Sequence, residues 1–371
     1  MQRREFLAAA AAIPAAATVS TPVRGAAPAD AAKFRRIAVE EAWMPAELVT
    51  EWRGVIARNP AVEAAFSRFS SGFLSDRPAA KQRMAELAEI GDGRIRAMDD
   101  AGIAKQVFSI NSPGVQPLED DRAIGMSVLL NDMAAEAVRK NPTRLDAFAT
   151  VAPQGPAAAV KEIQRAVTKL GMKGVLINSH TRGEFLDDQK FWPIFEAVEA
   201  LGTTLYIHPR EPAPAMVAPY QSYGLDSAMW GFAAETSLHI MRIIMAGVFD
   251  RFPRLNLMIG HGGEGIPYFL DRIDDRYKAS QGIFGNRAVG GLQRKPSDYF
   301  RERIYVTTSG MNFRSPLMFL INEMGADRVL YAADYPHESM QTRLAVDALP
   351  LTDEVKVKVF GGNATRVLGL T

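Results

Sequence analysis

The sequence predicts a (β/α)8 barrel with inserted βα loops. Short β-branched runs alternate with longer amphipathic stretches from residue 35 onward, and eight such units fit in the 371-residue chain. The helical stretches close on glycines that suit C-caps, as in "PAAAVKEIQRAVTKLG" and "FWPIFEAVEALG". Strands that alternate with helices imply right-handed crossovers and a parallel sheet. A doubly wound sheet of the same length is the rival arrangement.

The expected strands, in order, are 36–43 (RIAVEEAW), 104–111 (AKQVFSIN), 145–153 (LDAFATVAP) and 173–179 (KGVLINS). The series continues with 203–209 (TTLYIHP), 255–263 (LNLMIGHGG), 304–310 (IYVTTSG) and 328–336 (RVLYAADYP). Between the first two strands, "SRFSSGFLSDRPAAKQ" has the polar, Gly- and Pro-containing character of a long loop or a cap over the barrel mouth. A second long loop is expected over 281–299.

The first residues differ from the rest. "MQRREFLAAAAAIPAAATV" places Arg3 and Arg4 ahead of a weakly apolar alanine-rich run, and "ADA" at 29–31 offers small residues for cleavage. Residues 1–31 therefore resemble a twin-arginine export signal, which implies a periplasmic protein folded from residue 32 to residue 371 as one barrel domain; a disordered Ala-rich leader on a cytoplasmic protein is the alternative. The apolar run is short and broken by Pro14, so it is no membrane span.

Composition narrows the chemistry. Net charge is +1, which leaves no electrostatic footprint for nucleic acid or an acidic membrane. The chain has no cysteine, so thiolate nucleophiles, disulfides and Cys-based metal sites are excluded. With five histidines, a metal site must recruit carboxylates.

Barrel enzymes carry their reacting groups at the C-terminal ends of strands. Those ends hold Glu40 and Glu41 on the first strand, His180 after the fourth and His208 on the fifth. His261 and Glu264 follow the sixth, and Asp334 the eighth. In a closed ring the eighth strand lies beside the first, so Glu40 and Asp334 become neighbours with His208 facing them. Two carboxylates and one imidazole suit a single divalent ion, Mn2+ or Zn2+, with positions left for water or substrate. Strand alternation sets Glu40 and Ala42 on one face and Glu41 on the other. A lone Asp after a strand is also a common turn or N-cap residue. His239 sits in the apolar helix "AAETSLHIMRIIMAGVF" and reads as structural. Phe73, Trp192 and Trp230 are candidates for an aromatic pocket or for core.

The segments "VEEAW", "SPGVQPL", "TVAPQ", "INSHT", "LYIHPR", "ETSLH", "FDRFPRLN", "GHGGEGIPYFLDRID" and "VLYAADYP" resemble the amidohydrolase-related family, which includes nonoxidative decarboxylases of aromatic hydroxy acids. The likeness runs from about residue 36 to the C-terminus. Where that family carries His-x-His or a Glu-x-[His/Ala] variant, this chain has Glu40-Glu41-Ala42, and it has Asn178 in place of the bridging lysine of two-metal hydrolases. The resemblance implies one metal held by Glu40, His208 and Asp334 and no organic cofactor. It also implies decarboxylation of a hydroxylated aromatic acid, with Asp334 as proton donor. His261 and Glu264 would be the relay or orienting pair, and Arg272, His180 and His337 would meet the substrate. It further implies a homodimer or homotetramer. Hydrolysis of a lactone, ester or amide on the same scaffold is the alternative, and a binding protein for aromatic acids without turnover is the third.

Overall fold

The computed structural model describes residues 34–58, 60–284, 292–342 and 346–371. The expected export signal and the middle of the 281–299 loop lie outside these residues. Among the described residues nine parallel strands form the frame: β1 (Ile37–Trp43), β2 (Lys105–Ile110), β3 (Leu145–Ala147), β4 (Ala149–Thr150) and β5 (Val175–Ile177), then β6 (Thr204–Ile207), β7 (Asn256–Ile259), β8 (Ile304–Thr307) and β9 (Val329–Leu330). Their ladders run β1-β2-β3 and β4-β5-β6-β7-β8-β9. β3 and β4 are one stave interrupted at Phe148, whose N–H donates to the Phe108 carbonyl at 2.9 Å while the next N–H, of Ala149, turns to Gly174 on the other side. At the opposite seam the strand ladder stops, but Val39 N–H donates to the Tyr331 carbonyl (3.3 Å) and Ala42 N–H to that of Tyr335 (2.7 Å). Eight staves thus follow one another in chain order, and the last lies beside the first.

Alternation along the staves separates two cores. Ile37, Val39, Val107, Phe148, Leu176, Tyr206, Met258, Tyr305, Leu330 and Ala332 form an inner cluster, closed below by Ala364, Leu368 and Leu370 from the C-terminal segment. Residues of the opposite parity, such as Phe108, Val175, Ile207, Leu257 and Val306, belong to the shell between strands and helices. Because both faces are buried, every residue of β1 is buried and the strand shows no polar–apolar alternation.

β1 contains the decisive irregularity. Ala38 pairs with Gln106 but Glu41 pairs with Phe108, so β1 carries one extra residue between them. A bulge of this kind re-aims the side chains that follow it. Val39 faces the inner cluster, and unbroken alternation would turn Glu40 away; the bulge turns it inward instead.

Helices Pro156–Thr168 and Trp192–Ala200 end before Gly171 (φ 74) and Gly202 (φ 61), the left-handed glycines anticipated from sequence. The stretch expected as a long loop or a cap after β1 is built of helices, at Ala46–Arg58, Ala64–Phe73 and Pro78–Ala88. "SRFSSGF" ends one and "PAAKQ" begins another, Pro78 taking the first turn where its missing N–H costs nothing. Trp52 and Phe66 lock this cap edge to face at 5.1 Å, and the Trp52 indole donates to the Gly114 carbonyl at 2.8 Å. At the end of the second expected loop, Pro296–Arg303 is a helix as well.

Gly174, between the third and fourth staves, has no room for a side chain. A Cβ there would lie 2.8 Å from the Phe148 ring and 2.8 Å from the Thr204 carbonyl oxygen, which is backbone and cannot rotate away. Gly174→Ala is expected to destabilise the barrel by about 1–3 kcal/mol, read as a lower thermal midpoint.

Candidate metal centre

The inward positions one layer above the inner cluster build the site. Two residues beyond Tyr206 is His208; beyond Met258, Gly260; beyond Tyr305, Thr307; beyond Ala332, Asp334. Glu40 joins them through the bulge in β1. Glu40, His208 and Asp334 each offer one ligand atom, and those atoms all lie within 4.8 Å of one another.

Glu40 is almost fully buried, and its two oxygens are treated differently. Oε2 accepts hydrogen bonds from Thr307 Oγ1 and Ser309 Oγ, hydroxyls that are themselves 2.8 Å apart. Oε1 has no hydrogen-bond partner among the described residues. It faces His208 Nε2 at 3.5 Å and His261 Nε2 at 3.8 Å. Burial alone would raise the Glu40 pKa, but His261, His208 and the two hydroxyls outweigh it and hold it below the ordinary carboxylate range. Gly260 makes the space: a Cβ there would sit 2.5 Å from Oε1.

His208 is set up as a ligand. Its Nδ1–H donates to the Pro209 carbonyl at 2.9 Å, which fixes the tautomer and leaves the Nε2 lone pair aimed at the site. Ser112 Oγ donates to the same carbonyl at 2.7 Å. Burial lowers its pKa to about 4, so the ring is neutral at ordinary pH. Asp334 has φ 65, and burial raises its carboxyl to about 7.

His261 sits between the acids, with Nε2 3.6 Å from Asp334 Oδ2 and Nδ1 2.8 Å from Glu264 Oε1. Burial opposes its charge, yet the Glu264 and Glu40 carboxylates raise its pKa well above 6.5. The turn that brings it in is unusual, since residues 261–265 all have positive φ, from 50 to 83. Glycine accepts that conformation freely; His261 and Glu264 hold it under strain, a mark of functional sites. Gly310 gives the imidazole its place, because a Cβ there would lie 2.8 Å from His261 Cδ2.

The donor set fits a divalent cation: a buried carboxylate oxygen without a partner, a neutral imidazole with a fixed tautomer, and a second carboxylate. Water and substrate would complete the coordination.

The other sequence candidates fall elsewhere. His180 is buried, and both ring nitrogens are engaged by backbone: Nε2 with the Glu211 carbonyl (3.0 Å) and Nδ1 with the Gly183 N–H (3.1 Å). It joins two loops through these bonds. Arg272 is not part of the ion site within this chain. It lies six residues into helix Ile266–Phe284, roughly 9 Å from its start, exposed in a 420 Å3 surface groove with Leu238, Phe269 and Arg276. Glu264 is the one ion-site residue lining that groove. His337 is at the mouth, with Nε2 2.6 Å from Asn111 Oδ1 and its ring 5.9 Å from that of Phe73. Trp192 packs on Phe252, and Trp230 is exposed. His239 is structural: Nδ1 meets Ser179 Oγ at 2.9 Å, Nε2 accepts from Leu186 N–H, and Ser179 also bonds Glu235. This buried Ser–His–Glu set has its imidazole blocked on both nitrogens, so it is no nucleophilic triad. Thr307 and Ser309 were not singled out from sequence, although two hydroxyls on one face of a strand end were visible in "IYVTTSG".

With this geometry in hand, comparison with known proteins places the chain. The amidohydrolase family model matches residues 78–370, and the chain belongs to that family. It is 36% identical over 311 residues to the γ-resorcylate decarboxylase of Polaromonas sp., covering 81% of this chain and 94% of that protein. The crystal structure of 5-carboxyvanillate decarboxylase from Sphingomonas paucimobilis is similar with a TM-score of 0.86 at 36% identity, covering 91% of this chain and 100% of that one. The Novosphingobium aromaticivorans enzyme of the same name, complexed with manganese and 4-hydroxy-3-methoxy-5-nitrobenzoic acid, gives a TM-score of 0.88 at 36% identity, covering 91% and 96%. These relatives are carboxy-lyases that act on hydroxylated aromatic acids, and the last binds a divalent metal.

The two hydroxyls on Glu40 Oε2 aim its bare oxygen. Replacing them together, Thr307→Val with Ser309→Ala, is expected to weaken Mn2+ binding by roughly 10–100-fold, measured by equilibrium dialysis.

Proposed function

We propose that the protein is a mononuclear metal-dependent decarboxylase of a hydroxylated aromatic acid of the γ-resorcylate or 5-carboxyvanillate type. The observation that carries this reading is the convergence of Glu40, His208 and Asp334 on one ion-sized space. Manganese is the ion we favour, because two carboxylates and one imidazole make an oxygen-leaning donor set; zinc is the alternative. No organic cofactor is required by the chemistry.

A bound divalent ion would supply a fixed positive charge for the substrate's carboxylate and ortho-hydroxyl oxygens. Asp334, protonated in the substrate complex, gives its proton to the ring carbon that bears the carboxylate. The bond from that carbon to the carboxylate then breaks, its electron pair returns to the ring, and CO2 leaves. The balance is one aromatic carboxylate plus one proton giving one arene and one CO2. His261, 3.6 Å from Asp334 and braced by Glu264, restores the proton to Asp334 between turnovers. Asn111, His337 and Phe73, which touch one another, are the residues we infer to read the ring substituents.

The twin-arginine leader supports export to the periplasm. The assembly we infer is a homodimer or homotetramer, supported by the exposed Tyr268, Phe269 and Leu238 beside one groove.

The Mn2+-loaded protein, given γ-resorcylate, 5-carboxyvanillate and a lactone panel, is expected to release CO2 from an aromatic acid and to open no lactone. Asp334→Asn is expected to cut kcat by on the order of 100-fold or more. Lactone opening without CO2 release would instead identify a hydrolase.

A further inference from the structure

Asp334 adopts a left-handed backbone at φ 65, a conformation less favourable for a residue with a side chain than for glycine, and it is held there by its neighbours. The ladder between β1 and the last stave does not. Beyond the Val39–Tyr331 bond, the N–H groups of Ala333 and Tyr335 find no strand carbonyl. Both donate to the side chain of Glu41, Ala333 to Oε1 and Tyr335 to Oε2, each at 3.0 Å. Glu41 is fully buried, and its carboxylate is turned to these two N–H groups. Its carboxylate brackets Asp334 on both sides along the chain.

The surroundings fix the bracket. Ala42 N–H donates to the Tyr335 carbonyl at 2.7 Å, and Glu338 N–H to that of Asp334 at 2.8 Å. Arg94, also buried, lies over the Tyr335 ring at 4.9 Å and donates to the Ala42 carbonyl at 2.8 Å. A buried carboxylate is a costly acceptor for two backbone N–H groups. Its particular ability is to accept at both ends at once, which a glutamine cannot do.

We propose that Glu41 is the positioning residue for Asp334, its bidentate grip on the flanking N–H groups holding the strained turn that aims the Asp334 carboxyl at the ion. The proposal rests on the decarboxylase reading only for its kinetic readout; ion binding reads it separately.

The test compares Glu41→Gln and Glu41→Asp with Glu235→Gln, which makes the same chemical change at an equally buried carboxylate in the Ser179–His239 cluster. Mn2+ affinity, thermal midpoint, kcat and KM are measured for each full-length variant. Both Glu41 variants are expected to bind Mn2+ about tenfold more weakly and to lose at least about tenfold in kcat, with KM nearly unchanged. Glu235→Gln should lose thermal stability while keeping its Mn2+ affinity. In an Asp334→Asn background, Glu41→Gln should add no further loss of Mn2+ affinity, because the two act as one unit. Wild-type Mn2+ affinity in either Glu41 variant, or a penalty that adds in full to that of Asp334→Asn, overturns the proposal. If the wild type releases CO2 from none of the acids, the decarboxylase reading fails, and the affinity measurements still decide the role of Glu41.

Discussion

Glu40 is a carboxylate with almost no access to water, and only one of its oxygens is provided for. Thr307 and Ser309 hold Oε2, while Oε1 is left bare among two imidazoles and a second acid. Desolvating an ionised carboxylate costs several kcal/mol unless a positive partner offsets it. The arrangement around the bare oxygen follows from that need. His208 is neutral, with its lone pair turned inward; Gly260 has no side chain to block the approach; Asp334 faces the same space. A cation satisfies all of these groups together, which no single hydrogen bond could do.

The barrel makes this constellation from residues far apart in sequence. β1 and the last stave meet at the seam of the ring, which puts residues 40 and 334 side by side, and the stave of His208 faces them. The bulge in β1 then selects which acid enters. Glu40 goes inward to the ion, and Glu41 goes sideways to the backbone on which Asp334 rides. Two adjacent glutamates thus carry separate tasks, one toward the ion and one toward the residue that shares it. The strained 261–265 turn supplies His261 from outside the strand alternation altogether, which frees its ring to stand between the two acids.

Much of this was legible in the sequence because strands buried on both faces leave a strong signal. Runs such as "LYIHP" and "VLYAADYP" announce a stave and its polar tip together, and the left-handed glycines marked helix ends. The helices of the cap were not legible because Ser, Gly and Pro dominate "SRFSSGFLSDRP", and their low helix propensity was overridden by burial of Trp52 and Phe66. Simple parity counted from Val39 would have sent Glu41 inward, and the extra residue in β1 has no signature in the letters. His180 looked available because it follows a strand end, yet backbone groups of two loops engage its ring nitrogens. Arg272 was assigned to the substrate through the family resemblance, and within this chain it stands exposed on helix Ile266–Phe284.

The most direct measurement is anomalous diffraction at the manganese edge from crystals grown with Mn2+. The account places a single anomalous peak roughly 2 Å from Glu40 Oε1, His208 Nε2 and an Asp334 carboxylate oxygen. A peak bound by other residues, or none at the convergence of these three side chains in metal-replete crystals, would contradict it.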